Sequence, residues 1–273
     1  MSKKKKHIPL PVLDRGAALV DTHCHLDMID YGLYADRVID RALAAGVKAV
    51  ITIGIDIKSS GKAVEFAKNN PGVYASVGIH PHHAGDLTDD ALDELDRLAR
   101  NQRVVAYGEI GIDTVKDYAP LPVQHSAFTR QLHLAKRLGL PVIIHNREAH
   151  EQIYELLRAN GPFPAAGVIH CFSGDGATAK KFIDLGFYIS IPGVVTFNNA
   201  QILHDAVRAI PLSRLLVETD APFLAPVPFR GKTNEPVYTL YTAQKIAELK
   251  DVTLDEVARQ TTANVQKLFG ISV

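Results

Sequence analysis

The sequence is poor in residue types and patterns that define whole classes of protein. Tryptophan is absent, and only two cysteines, Cys24 and Cys171, occur among 273 residues, which excludes a disulfide-rich scaffold. No apolar run approaches the length of a membrane span. The basic N-terminus also lacks the apolar stretch of a signal peptide. We therefore expect a reduced, cytoplasmic protein without a membrane partner.

Net charge is missing as well. Lys+Arg and Asp+Glu both number 30, and four of the basic residues are consecutive lysines at positions 3–6. Removing those four leaves 26 basic residues against 30 acidic ones, so the body lacks the basic stripe of proteins that coat long nucleic acids. We interpret residues 1–17 as a flexible basic extension, with the lysines as a solvated tail, and residues 18–273 as one domain.

What the sequence does have is a regular alternation of short β-branched runs with helical patterns. The predicted strands are 18–22, 47–53, 73–78, 104–108, 141–145, 167–170, 187–191 and 215–218. The predicted helices are 33–45, 60–69, 88–101, 122–138, 149–159, 176–185, 199–209, 236–249 and 253–268. Thr88 and Thr253 are typical of helix starts, and Gly46, Gly139 and Gly186 of helix ends.

Strands that alternate with helices imply a parallel sheet, and eight of them favour an α/β fold of the (β/α)₈ TIM-barrel type. The competing open, doubly wound sheet usually has a glycine-rich phosphate loop after its first strand. Here that position reads DTHCH at 21–25. We therefore predict a single-domain barrel, and nothing demands more than a monomer.

Ligand-type side chains gather where the strands end, which is where barrel enzymes place their chemistry. Strands one, four, five, six and eight supply them, and the residues are His23, His25, Glu109, His145, His170 and Asp220. Residues i and i+2 of a strand face the same side. His23 and His25 are thus expected to face the barrel axis, while Cys24 points away as a core thiol.

Histidine and carboxylate donors without a thiolate suit divalent ions such as Mg²⁺, Mn²⁺ or Zn²⁺. Six donors exceed the three that one catalytic zinc uses, but they suit two ions that share a carboxylate. Glu109 is the best candidate for that bridge. Such a pair would supply a bridging hydroxide near neutral pH. Asp220, a catalytic candidate together with Glu109, would orient the nucleophile and hold its proton.

Six ordered motifs resemble the TatD family, a branch of the amidohydrolase superfamily. They are DTHCHLD at 21–27, GEIGID at 108–113, PVIIHNR at 141–147, HCFSG at 170–174, ETDAP at 218–222 and RGKTNEP at 230–236. The resemblance runs from about residue 18 to residue 271. It implies a metal-dependent hydrolase, usually described as a deoxyribonuclease with 3′→5′ exonuclease action, whose substrate is a single-stranded DNA end.

The resemblance also implies how the metal ligands divide. One ion would use His23, His25, Glu109 and Asp220, and the second Glu109, His145 and His170. The chain departs from the family pattern after Gly111, where Ile-Asp-Thr replaces the usual Leu-Asp-Tyr. That departure leaves the substrate contacts of this loop open.

Candidate substrate-binding residues surround the predicted ligands, and we select His82, Arg147, Ser173, Arg230 and Lys232. The three cations suit phosphate, and Ser173 could donate to a phosphate oxygen. Of the histidines in the GIHPHH segment at 78–83 we prefer His82 over its neighbour at position 80. Tyrosine and phenylalanine are scattered along the chain, so the sequence shows no base-stacking strip.

The acidic residues beside the ligands receive a supporting role. We interpret Asp21, Asp27, Asp113 and Glu218 as partners that orient histidines or close turns. Two other functions stay open. One is an amidohydrolase-type deacylase or esterase with the same metal site, for example an aminoacyl-tRNA deacylase. The other is an inactive barrel that only binds its ligand.

Overall fold

The strands of the protein form one parallel sheet in sequence order. A computed structural model describes residues 8–14, 16–28 and 34–273. The order in the sheet is β1 to β8 without a crossover. The strands are β1 Leu19–Cys24, β2 Val47–Ile53, β3 Val73–Val77, β4 Val104–Asp113, β5 Val142–Arg147, β6 Gly167–Ile169, β7 Tyr188–Ile191 and β8 Leu215–Val217.

The sheet closes where the chain beyond β8 meets β1. Ala221 forms a parallel bridge with Cys24, and the backbone N–H of Asp220 donates to the carbonyl of His23 at 2.9 Å. The side chain of Thr22 also donates to the carbonyl of Val217 at 3.0 Å. Closure of eight parallel strands confirms the predicted (β/α)₈ barrel.

Helices follow the strands and cover the outside of the barrel. In the described part of the chain they are α1 Ala35–Ala44, α2 Ile57–Asn69, α3 Asp89–Ala99, α4 Leu121–Leu138, α5 His150–Asn160, α6 Gly176–Asp184, α7 Gln201–Ala209, α8 Thr239–Lys250 and α9 Leu254–Phe269. Over these same residues, no helix is both long and apolar enough to cross a membrane.

The apolar core has two layers. An inner cluster fills the barrel with strand residues such as Ile51, Ile143 and Leu216, and Phe269 of α9 joins it. An outer cluster lies between the sheet and the surrounding helices. Thr262 of α9 donates to the carbonyl of residue 18, just before β1, at 2.7 Å. α9 therefore packs at the N-terminal end of the barrel and leaves the opposite end open for a site.

Local hydrogen bonds define the helix ends that the sequence indicates. The Thr88 side chain accepts the N–H of residue 91, Thr253 forms a capping box, and Gly139 adopts φ 68° after α4. These three predictions are confirmed. Helix α2 starts three residues before its predicted start, because the Asp56 side chain accepts the N–H of Ser59 at 2.6 Å and forms a second capping box.

Strand β4 is longer than predicted, and the prediction that it ends at residue 108 is wrong. It continues to Asp113, so Glu109 lies within the strand. The extension depends on glycine, because a Cβ on Gly111 (φ 154°) would lie 1.9 Å from the carbonyl oxygen of His145. The backbones of β4 and β5 approach each other here too closely for any residue that has a side chain. β5 likewise extends past its predicted end, to Arg147.

The N-terminal segment contacts the barrel over part of its length. Tyr241 of α8 donates to the carbonyl of Pro9 at 2.9 Å, and the N–H of Asp14 donates to Asp255 of α9 at 3.0 Å. The lysines at 3–6 lie outside the described residues. The boundary at residue 17 and the flexibility of the extension stay predictions.

Candidate active site

The six ligand-type side chains selected from the sequence meet at the open end of the barrel. His25 and Asp220 form one side of the cluster, where Nε2 of His25 lies 3.4 Å from Oδ1 of Asp220. Nε2 of His23 lies 3.6 Å from the same oxygen. The three ligand atoms lie close enough together to hold one ion.

Glu109 occupies the centre of the cluster, with its two oxygens facing different neighbours. Oε2 lies 3.4 Å from Nε2 of His23. Oε1 lies 2.7 Å from Nδ1 of His145 and 2.9 Å from Nε2 of His170. A carboxylate in this position connects the His23 side of the cluster with the His145 side.

A seventh candidate, His80, was not expected among the ligands. Its Nε2 lies 3.5 Å from Oε1 of Glu109 and 3.1 Å from Nδ1 of His145, and these three residues form a further group that could hold an ion. The backbone N–H of His80 donates to the carbonyl of Ile55 at 2.9 Å. The GIHPHH segment drew attention to this histidine, but the choice of its neighbour His82 overlooked it as a ligand.

His82 lies at the outer edge of the cluster, where it contacts Asp113. Its Nε2 is 2.7 Å from Oδ2 of Asp113, and the imidazole is 27% exposed. The same carboxylate oxygen lies 3.4 Å from Nε2 of His145. Burial tends to raise the pKa of Asp113, but His145, His82 and two backbone N–H groups outweigh it and hold the pKa far below its usual range. Asp113 thus orients two histidines at once.

Two more buried acids support the cluster from behind, as the sequence suggested. Asp21 accepts hydrogen bonds from the backbone N–H and the hydroxyl of Thr219, the hydroxyl at 2.5 Å. Burial raises the pKa of Asp21 to about 8, although these hydrogen bonds oppose the shift. Glu218 accepts the N–H of Cys171 at 2.6 Å and lies 3.4 Å from Nδ1 of His170. Both acids position backbone next to a candidate ligand.

The electrostatics of the cluster favour an ionised carboxylate at its centre. Burial by itself raises the pKa of Glu109, but His170, His80 and His145 outweigh it and lower the pKa well below its ordinary value. Burial lowers the pKa of His80 to about 4. The charged Glu109 and the neutral His80 are in the forms that bind metal ions. At His170, burial lowers the pKa but Glu109 and Glu218 outweigh it and raise the pKa well above its ordinary value, so a bound ion would displace a proton from that imidazole.

The donor set fits a divalent cation. His23 is fully buried, and within the described residues neither of its ring nitrogens has a hydrogen-bond partner. Such isolation is unusual for buried polar atoms, and a cation would satisfy it. Imidazole and carboxylate donors without thiolate suit zinc, manganese and related ions.

The cysteines take no part in the cluster. Cys24 is buried in the outer apolar layer, on the side away from its neighbouring histidines, as predicted. Burial raises the pKa of both Cys24 and Cys171 well above the ordinary value. Both thiols therefore stay protonated, which makes them poor ligands and nucleophiles.

The remaining substrate candidates lie on the surface around the cluster. Arg147, at the end of β5, and Ser173, just after His170, are exposed. Arg230 and Lys232 are exposed in the loop after β8, where their charges pack over the rings of Phe197 and Phe229 at 4.6 Å and 5.5 Å. Among the described residues, none of the three cations forms an ion pair.

Comparison with known proteins shows the family to which the chain belongs. The family model described as "TatD related DNase" matches residues 20–270. An uncharacterized metal-dependent hydrolase of Bacillus subtilis, YabD, is 42% identical over 254 residues, which cover 93% of this chain and all of that protein. This chain belongs to the TatD-related DNase family. Like its relatives, it is a metal-dependent hydrolase.

Other TatD-related proteins match along nearly the whole chain. A metal-dependent hydrolase named TatD, from Mycobacterium tuberculosis, is 43% identical over 261 residues, covering 93% of this chain and 98% of that protein. The crystal structure of YJJV, a TatD homologue from Escherichia coli, superposes with a TM-score of 0.89 at 33% identity, covering 93% of this chain and 98% of that one. The family expected from the six motifs is confirmed.

Proposed function

We propose that this TatD-related hydrolase is a phosphodiesterase that removes nucleotides from the 3′ end of a DNA strand. The observation on which the proposal depends is the position of Glu109, whose Oε2 faces His23 while its Oε1 faces His145. Two divalent ions would be held by His23, His25, Glu109 and Asp220 on one side, and by Glu109, His145 and His170 on the other.

His80 would add a ligand on the second side, because it contacts both Glu109 and His145. When bound, divalent ions at this site would lower the pKa of water and offset the negative charge that develops on a phosphodiester.

The side chains of the protein supply proton transfer and substrate binding. Asp220 is the proton acceptor for the attacking water, because its carboxylate lies at the edge of the cluster with 15% of the side chain exposed. Water attacks phosphorus, the bond from phosphorus to the 3′-oxygen breaks, and that oxygen takes up a proton. The products are a 5′-mononucleotide and a strand shortened by one residue.

Side chains at the rim of the open end of the barrel bind the phosphate. Arg147 ends the strand that carries His145 and is exposed, so its guanidinium can bind two phosphate oxygens. His82, fixed by Asp113, and Ser173 complete the contacts nearest the cluster. Arg230 and Lys232, further along the loop after β8, are assigned to phosphates beyond the one that is cut.

The experiment compares two substitutions within the cluster with a matched change outside it. Purified protein with Mn²⁺ or Mg²⁺ is given a 5′-labelled single-stranded oligonucleotide. We expect stepwise shortening from the 3′ end, and a loss of at least about 100-fold in rate for Glu109→Gln and Asp220→Asn, since each removes a charged ligand. Glu155→Gln, on the exposed face of α5, should retain the wild-type rate.

Two results would contradict the proposal. Full activity of either cluster variant, with circular dichroism showing a wild-type fold, would exclude the assigned roles. Turnover of carboxylic esters or aminoacyl-tRNA while DNA stays intact would instead favour the deacylase alternative.

A further inference from the structure

A continuous series of aromatic rings crosses the open end of the barrel. His23 and His170 stack at 3.8 Å between ring centroids, and His25 lies 5.2 Å from His23. His145 lies 5.8 Å from His170, and His82 lies 6.2 Å from His145. The imidazoles of the cluster are thus the middle members of this series.

The series ends in the exposed aromatic rings of a phenylalanine and a tyrosine. Phe223 lies 6.1 Å from His25 and is 50% exposed. Tyr118 lies 4.6 Å from His82 and is 67% exposed. Phe223 follows β8, next to β1, whereas Tyr118 follows β4 on the far side of the barrel. The two rings therefore lie on opposite sides of the histidine–carboxylate cluster.

The backbone on either side of each ring is fixed. The N–H of Phe223 donates to the carbonyl of Asp220 at 2.9 Å, and its own carbonyl accepts from the side chain of Asn234 at 2.6 Å. Asn234 is itself buried. A large apolar side chain that is half exposed on an ordered turn, directly beside a candidate ligand, is positioned to touch whatever enters the site.

The Tyr118 loop is held in a similar way. Asp113 accepts the N–H groups of Val115 and Lys116 at 2.8 Å and 3.0 Å. On the other side, the side chain of Gln124 donates to the carbonyl of Ala119 at 2.8 Å. These bonds pin the loop before and after the tyrosine, so its ring is displayed at the rim.

We propose that Tyr118 and Phe223 stack on the nucleobases that flank the phosphodiester at the cluster. Every base has an aromatic face, so stacking would hold a strand without regard to its sequence. The inference rests on the proposed phosphodiesterase function and names two side chains that would hold its substrate.

The test compares two oligonucleotides that share one phosphate backbone. One contains thymine bases, and the other contains abasic tetrahydrofuran residues. Phe223→Ala and Tyr118→Ala should each lower kcat/KM on the first by about tenfold or more, while leaving the abasic strand unaffected. Ile202→Ala, which removes an exposed apolar side chain from the outer helix α7, is the control and should match the wild type on both.

Binding provides a readout that does not depend on catalysis. Fluorescence anisotropy in the presence of a chelator should show that the wild type prefers the thymine strand over the abasic one, and that both alanine variants lose this preference. Phe223→Tyr and Tyr118→Phe keep an aromatic face and should bind more tightly than the alanine variants. Equal loss on both strands, or no loss on either, would overturn the stacking assignment.

The outcomes separate the two proposals. DNA that is bound through its bases but never cleaved would contradict the proposed phosphodiesterase activity but not the proposed stacking. DNA that the alanine variants cleave as well as the wild type does would contradict the proposed stacking but not the proposed phosphodiesterase activity. A wild type that neither binds nor cleaves single-stranded DNA would refute both.

Discussion

Glu218 is a buried side chain that supports the candidate ligand His170 without being a ligand itself. Its Oε1 accepts the N–H of Cys171 at 2.6 Å, and Cys171 adopts φ 46°. A residue with a side chain pays about 1 kcal/mol or more for that left-handed conformation. The hydrogen bond offsets this cost and fixes the turn directly after His170.

We expect Glu218→Ala to weaken metal binding by about 10- to 100-fold, as loss of partners behind metal ligands commonly does. Glu218→Gln keeps an oxygen acceptor for the Cys171 N–H and should lose less. Calorimetric titration of chelator-treated protein with Mn²⁺ gives the affinity. An alanine variant that binds Mn²⁺ as tightly as the wild type would show that Glu218 has no part in holding the site.

Individual side chains were predictable from sequence where strand geometry alone places them. His23, His25 and His170 adjoin strand ends, so their meeting follows from a closed barrel. His80 is different. It follows β3 by three residues and caps the start of a short 3₁₀ turn, Pro81–Asp86. Its direction therefore depends on a hydrogen bond to the loop after β2 and not on strand alternation.

The pairing of β4 with β5 depends on a glycine beside the site. Gly111 pairs with His145, and any Cβ there would collide with the His145 backbone. Gly111→Ala should therefore push β5 away and cost about 3 kcal/mol, the upper part of the range for overpacking. Because His145 contacts Glu109, activity should fall more than stability alone explains.

Gly139→Ala is the matched control for this substitution. Gly139 also has a positive φ, at 68°, but nothing lies within 4 Å of a Cβ added there. It should cost only about 1 kcal/mol and leave the rate per folded molecule unchanged. Chemical denaturation gives the stabilities. Equal stability losses in the two variants would contradict the close approach of β4 to β5.

Element boundaries were less predictable than element identity. Asp56 caps α2 through Ser59, a pairing that the sequence contains but that a search for apolar periodicity does not detect. The length of β4 depends on how closely two strands approach, which is a tertiary property. Local pattern therefore located the strands and helices, whereas long-range contacts decided where several of them end.

The barrel as a whole was the most predictable feature. Eight alternations of strand and helix leave few other closed arrangements, and the ligand-type residues at the strand ends agree with one open face. The aromatic series was not predictable. Tyr118 and Phe223 are far apart in sequence, in loops after β4 and β8, and only barrel closure places them on two sides of one cluster.

Counting the ions bound per chain tests the shared role of Glu109 most directly. Protein stripped with a chelator is titrated with Mn²⁺ while binding, hydrolysis and the electron paramagnetic resonance spectrum are followed together. We expect two ions per chain, magnetic coupling between them, and activity that rises with the second; Glu109→Gln should lose the coupling and the second ion. One ion at full activity, or two uncoupled ions unaffected by Glu109→Gln, would contradict a site built around a shared carboxylate.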